Sequence, residues 1–66
     1  MTGYTAWYDP NKGYGFVTGE DGNDYFAHQK NILAEGFRKL IAGKEVEFVP
    51  CTENGRRVAE KIEPLE

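Results

Sequence analysis

Five short stretches of this chain, bearing apolar and aromatic residues between polar turn segments, read as strands with one buried face. Gly3 to Asp9 reads as a first strand, closed by the turn signal Asp9-Pro10-Asn11. Tyr14 to Thr18 reads as a second, and Gly19-Glu20-Asp21-Gly22-Asn23 breaks it before a third, Asp24 to His28. Glu45 to Val49 alternates cleanly, with Val46 and Phe48 inward and Glu45 and Glu47 outward, and Pro50 marks a strand end or a sheet edge. Asn54-Gly55 is the strongest hairpin signal in the chain. It leads to a last strand, Arg57 to Glu63, with Val58 and Ile62 toward the core. The stretch Gln29 to Gly43 differs. Ile32, Leu33, Phe37, Leu40 and Ile41 recur at helix-like spacing, but Gly36 interrupts the pattern and Gly43 ends it. It reads as a long connection holding one or two short helical turns. The prediction is all-β: a five-stranded antiparallel OB-fold barrel with a long loop between strands 3 and 4, one domain over residues 1–66.

The aromatic residues sharpen this picture. Seven of the nine (Tyr4, Trp7, Tyr8, Tyr14, Phe16, Tyr25 and Phe26) fall between positions 4 and 26. Strand alternation puts Tyr14 and Phe16 on one face, and Phe26 with His28 on one face of the next strand. The opposite positions, Gly13, Gly15 and Val17 on one strand and Tyr25 and Ala27 on the other, suit a small core. A core face of two glycines and one valine would be thin, so the rings belong on the outside, with the glycines allowing close backbone approach in a tightly curved barrel. Tyr4 and Tyr8 read as packing residues and Cys51 as an ordinary strand residue. Flat rings on an open sheet with lysines nearby make a surface on which unpaired bases stack.

Bulk properties narrow the alternatives. Sixty-six residues sit near the lower size limit for folding without staples. A lone Cys51 excludes an intramolecular disulfide, and one cysteine with one histidine cannot build a tetrahedral zinc site. No apolar run approaches membrane-spanning length, and the N-terminus lacks the charged-then-apolar pattern of secretion. The expectation is a cytoplasmic monomer that engages no membrane and no metal. Net charge is −3, which argues against binding nucleic acid mainly by charge. Stacking needs only local cations, and Lys12, Lys30, Arg38 and Lys39 are candidates; the acids lie mostly in turns or toward the C-terminus. There is no phosphate-binding glycine loop and no nucleophile–base pair or carboxylate cluster for catalysis, so no enzyme activity and no cofactor are expected.

The residues resemble a known family. Trp7-Tyr8 followed by Lys12-Gly13-Tyr14-Gly15-Phe16-Val17 resembles the first ribonucleoprotein motif of the cold-shock domain and its leading tryptophan. Asp24-Tyr25-Phe26-Ala27-His28 resembles the second motif, and Gly36-Phe37-Arg38-Lys39-Leu40 falls where that family has a glycine-phenylalanine-basic stretch. The first hexapeptide also suits an RNA-recognition motif, but that fold needs another aromatic near Gly19, two full helices and a longer chain.

The resemblance implies that Trp7, Tyr14, Phe16, Phe26, His28 and Phe37 form a base-stacking platform. Lys12 would touch the backbone of the ligand, Asp24 would shape the edge of the site, and Arg38 would add charge to the loop. Gln29 stands where bacterial members carry an aromatic, as in Y-box-type domains, exchanging a ring for an amide that can meet a base edge. Tyr25 and Ala27 replace common aliphatics, and Tyr4 and Ala6 stand where members often carry lysines. The function so implied is binding of single-stranded RNA or DNA, with nucleic-acid chaperone activity affecting translation or transcription under stress. The alternative is a protein-interaction barrel that docks a partner protein on the same aromatic patch.

Overall fold

In the computed structural model of the protein, residues 1–33 and 40–65 are described. Five strands, β1 (Thr2–Asp9), β2 (Tyr14–Gly19), β3 (Asp24–His28), β4 (Glu45–Glu53) and β5 (Arg56–Pro64), close into a barrel in the order β1-β2-β3-β5-β4. This is the expected OB-fold. A ring of five strands cannot alternate direction all the way round, so one junction has to be parallel. It is β3 against β5, through Phe26↔Val58 and Ala27↔Ala59; the other junctions are antiparallel.

Turn chemistry follows the sequence. Asp9 Oδ1 accepts the N–H groups of Asn11 (2.9 Å) and Lys12 (3.3 Å), which folds the first connection back on itself. Asn54 and Gly55 take φ of 53° and 77°, the left-handed pair that a two-residue hairpin requires. Among the described residues the helical signal after β3 is realised as a 3₁₀ turn, Gln29–Asn31; positions 34–39 lie outside the described residues. Pro50 does not end β4, which runs on to Glu53. Phe48 gives its N–H to the Met1 carbonyl, and two residues later Pro50 has passed the end of β1, on an edge where no donor is needed.

The core gathers Val17, Tyr25, Ala27, Ile32, Leu40, Val46, Phe48, Ala59 and Ile62, with Met1 and Tyr8 packed against it. The Tyr25 and Phe48 rings meet at 5.1 Å across its centre. Val46, Phe48, Tyr25 and Ala27 are therefore inward as expected, and Tyr8 packs as expected. Tyr4 does not: it is half exposed.

Two irregularities break the simple alternation. In β1, Thr5 faces Val17 and Trp7 faces Phe16, so Ala6 is an extra residue without a partner. In β5 the register slips between Val49↔Glu60 and Glu47↔Glu63, and Lys61 within the slip has φ 50°. Each bulge flips the side-chain parity of its strand. The second one refines an expectation: Ile62 and Val58 are both buried, but Val58 sits beneath the outer groove beside Phe26, apart from the cluster that holds Ile62. Val58 pairs with Phe26, and its neighbour Ala59 packs in the central cluster.

Candidate nucleic-acid interface

The outward faces of β1, β2 and β3 carry the rings in register. Trp7 opposes Phe16, Phe16 opposes Phe26, and Tyr14 opposes His28. The resulting strip is continuous. Trp7 lies 6.1 Å from Tyr14 and 5.8 Å from Phe16. Phe26 lies 5.8 Å from both Tyr14 and Phe16 and 6.2 Å from His28. These are edge and tilted contacts of the kind aromatic pairs prefer, and they hold each ring while leaving part of its face open. Trp7 is 47% exposed, and Tyr14, Phe16, Phe26 and His28 are half-buried.

Glycine makes the strip possible. Gly15 pairs with Tyr8, and a Cβ there would lie 2.6 Å from Tyr8 Cα and closer still to the Trp7 carbonyl oxygen. β1 can approach β2 this closely only with hydrogen at that position. Gly13, at φ 78°, has the Gln29 carboxamide folded over it, where a Cβ would sit 3.0 Å from Gln29 Cδ. Gln29 also donates its N–H to the Gly13 carbonyl at 2.9 Å. The amide is thus held at the Tyr14–His28 end of the strip. His28 Nδ1 accepts the Lys30 N–H at 3.1 Å and caps the 3₁₀ turn. In the neutral ring the proton then sits on Nε2, which is left as a donor.

The remaining expected residues divide. Lys12 is exposed in the turn between β1 and β2, at the same end as Tyr14. Asp24 sits at the far end, accepting the Thr18 hydroxyl at 2.8 Å. Phe37, Arg38 and Lys39 lie outside the described residues.

One wall of the surface was not legible in the sequence. Beside Phe26 and His28 opens a groove of about 470 Å³, lined by Lys30, Asn31, Glu53, Asn54, Arg56, Val58 and Glu60. The Arg56 guanidinium carbon stands 5.7 Å from the Phe26 ring centroid, a cation–π placement. Glu53 and Glu60 bring two carboxylates close to the rings, so these acids are not remote from the site as their sequence positions suggested. The parallel pairing of β5 with β3, Phe26 against the buried Val58, was the missing signal: it sets the β4–β5 hairpin at the edge of the strip. Among the described residues no three His, Cys, Asp or Glu side chains group where a metal ion would fit.

The chain matches the family model described as the 'Cold-shock' DNA-binding domain over residues 1–65. It is 36% identical over 65 residues to the cold shock protein CapB of Pseudomonas syringae, covering 98% of this chain and 94% of that one. It is 50% identical over 46 residues to Cold shock protein 1 of Lactiplantibacillus plantarum, 70% of each chain. Against Cold shock protein 1 of Arabidopsis thaliana it is 48% identical over 48 residues, 71% of this chain but only 16% of that longer protein.

Proposed function

This chain belongs to the cold-shock domain family, and from that premise we propose that it binds single-stranded RNA or DNA by stacking unpaired bases on the strip Trp7, Tyr14, Phe16, Phe26 and His28. The observation that carries this reading is the continuity of the rings. Five adjacent ring systems in register, each partly open to water, offer a row of stacking positions and little that would read a duplex.

Each stacked base contributes ~1–3 kcal/mol by alanine substitution. Four or five of them, less the cost of ordering a flexible strand, support micromolar to nanomolar affinity. Lys12 and Lys30 would meet phosphates, while Gln29 and the His28 Nε2–H would meet base edges. Only unpaired bases fit the rings, so binding draws a hairpin toward its melted state by mass action, without ATP. That is a nucleic-acid chaperone, acting in the cytoplasm on translation or transcription under stress.

The test is a titration of pyrimidine heptamers followed by Trp7 emission. Binding in the micromolar range or tighter should quench the emission, and an equal concentration of duplex should not compete. An unchanged spectrum at high micromolar strand would remove the basis for this function.

A further inference from the structure

We propose that Tyr4 and the groove beside it form one more base subsite, beyond the Trp7–Phe16 end of the strip, selective for a base that carries an exocyclic amine. This inference rests on the single-strand binding proposed above and extends its track.

Tyr4 opposes Thr18 on the outward face of the β1–β2 pair. Thr18 lies two residues along β2 from Phe16, so Tyr4 stands one outward row past the Trp7–Phe16 pair, roughly 7 Å along the strand. The Tyr4 ring is 50% exposed and makes no ring contact among the described residues. Packing therefore does not account for it. Continuity does: it prolongs the platform in the same plane of the sheet.

Next to it is a groove of about 630 Å³ whose lining includes Thr2, Gly3, Thr18, Glu20, Gly22 and Glu45. Gly3, Gly19, Gly22 and Gly43 are among its lining residues and put no side chains into it. An open, glycine-rich groove beside an exposed ring leaves room for a planar base.

The electrostatics choose which base. Among the described residues the lining carries Glu20 and Glu45 and no lysine or arginine. The Glu20 carboxylate is tethered by the Thr2 N–H at 3.4 Å, and Asp24 is held in the same row by Thr18. Acceptors without cations repel a phosphate and favour a donor edge. Adenine, cytosine and guanine offer amino groups; thymine and uracil offer carbonyls in their place.

Thymine strands of about four to about eight nucleotides are titrated against the wild type, Tyr4→Ala and Tyr4→Phe. Affinity should rise with length and level off when the last subsite fills. In Tyr4→Ala the plateau should come one nucleotide earlier, with loss of a final step of roughly 5- to 100-fold and unchanged affinity for the shortest strands. Tyr4→Phe should keep the wild-type plateau. Exchanging the terminal thymine for cytosine or adenine should tighten binding several-fold in the wild type and not in Tyr4→Ala, and Glu45→Gln should weaken that preference alone. Identical plateaus in wild type and Tyr4→Ala would overturn the subsite. Failure of every strand to bind would instead overturn the function beneath it.

Discussion

Thr5 and Trp7 lie two residues apart on β1, yet Thr5 is buried against Val17 while Trp7 stands outward over Phe16. The unpartnered Ala6 between them reverses the parity of the strand. One extra residue thereby puts the indole on the ring-bearing face and a threonine in the core.

That threonine is an awkward occupant. Its N–H reaches the Lys44 carbonyl (3.0 Å) and its carbonyl accepts from Gly43 (2.8 Å), but its buried Oγ1 has no hydrogen-bond partner among the described residues. A buried unsatisfied hydroxyl costs about 1–3 kcal/mol. Thr5→Val keeps the shape and removes the cost, so it should stabilise the protein by about 1 kcal/mol. Thermal unfolding should shift upward by roughly 4–8 °C for a domain of this size. A lower midpoint would show that the hydroxyl is satisfied.

Phe16 and Phe26 should matter to binding more than to folding. Both rings are half-buried on the outer face, whereas the core is held by Phe48, Ile62, Val17 and Val46. Phe16→Ala and Phe26→Ala should each weaken single-strand binding by ~1–3 kcal/mol with the far-ultraviolet circular dichroism retained. Phe26→Ala should be the worse, since that ring touches Tyr14, Phe16, His28 and Arg56. Unfolding of both variants would make the rings structural.

The groove beside Phe26 mixes Lys30 and Arg56 with Glu53 and Glu60, so charge contributes little net attraction for phosphates. With about two phosphates neutralised, the logarithm of affinity should fall against the logarithm of salt with a slope near −1.4. Glu60→Gln should tighten binding by roughly two- to five-fold, most at low salt. A steep salt slope in the wild type would show that cations, not rings, dominate.

Two glycine substitutions should separate close approach from backbone conformation. Gly15→Ala would drive a methyl into the backbone of Trp7 and Tyr8 and should cost about 3 kcal/mol or more. Gly22, at φ 85°, has nothing within 4 Å of the corresponding position. Gly22→Ala bears only the left-handed conformation and should cost about 1 kcal/mol. Equal losses by urea denaturation would mean that β1 can retreat from β2.

Asp21 links stability to pH. Its carboxylate accepts from the Tyr25 hydroxyl (2.6 Å) and the Asn23 backbone N–H (3.0 Å), which hold its pKa below the ordinary value of 3.8. The same bond raises the Tyr25 phenol above 10.0. A depressed carboxylate stabilises the fold above its unfolded pKa and loses that effect as pH falls through the folded one. A raised phenol stabilises below its unfolded pKa and loses that effect as pH rises through the folded one. The bond should therefore support the fold from above the carboxylate range to below the phenol range. Asp21→Asn should lower the unfolding midpoint at pH 7, with the difference from wild type shrinking once pH falls below that of ordinary carboxylates. A difference that persists in acid would assign the effect to shape.

Much of this protein was already decided in one dimension. Strand-forming runs and the turn residues between them are properties of neighbouring residues, so the five strands, the inward Val46 and Phe48, and the shared outward face of Tyr14 and Phe16 follow from the chain alone. So does the hairpin at Asn54-Gly55, because only residues tolerant of positive φ make that turn. The bulges at Ala6 and Lys61 were not decided there. Nothing local dictates where a strand must take up an extra residue; closure of a small twisted barrel does, and it demands curvature at particular points of the ring. Those two insertions turned Trp7 outward, set the buried Val58 beneath the outer groove, and brought Arg56, Glu53 and Glu60 beside Phe26. The alternation made a face of rings possible, and the closing of the barrel chose which distant side chains would border it.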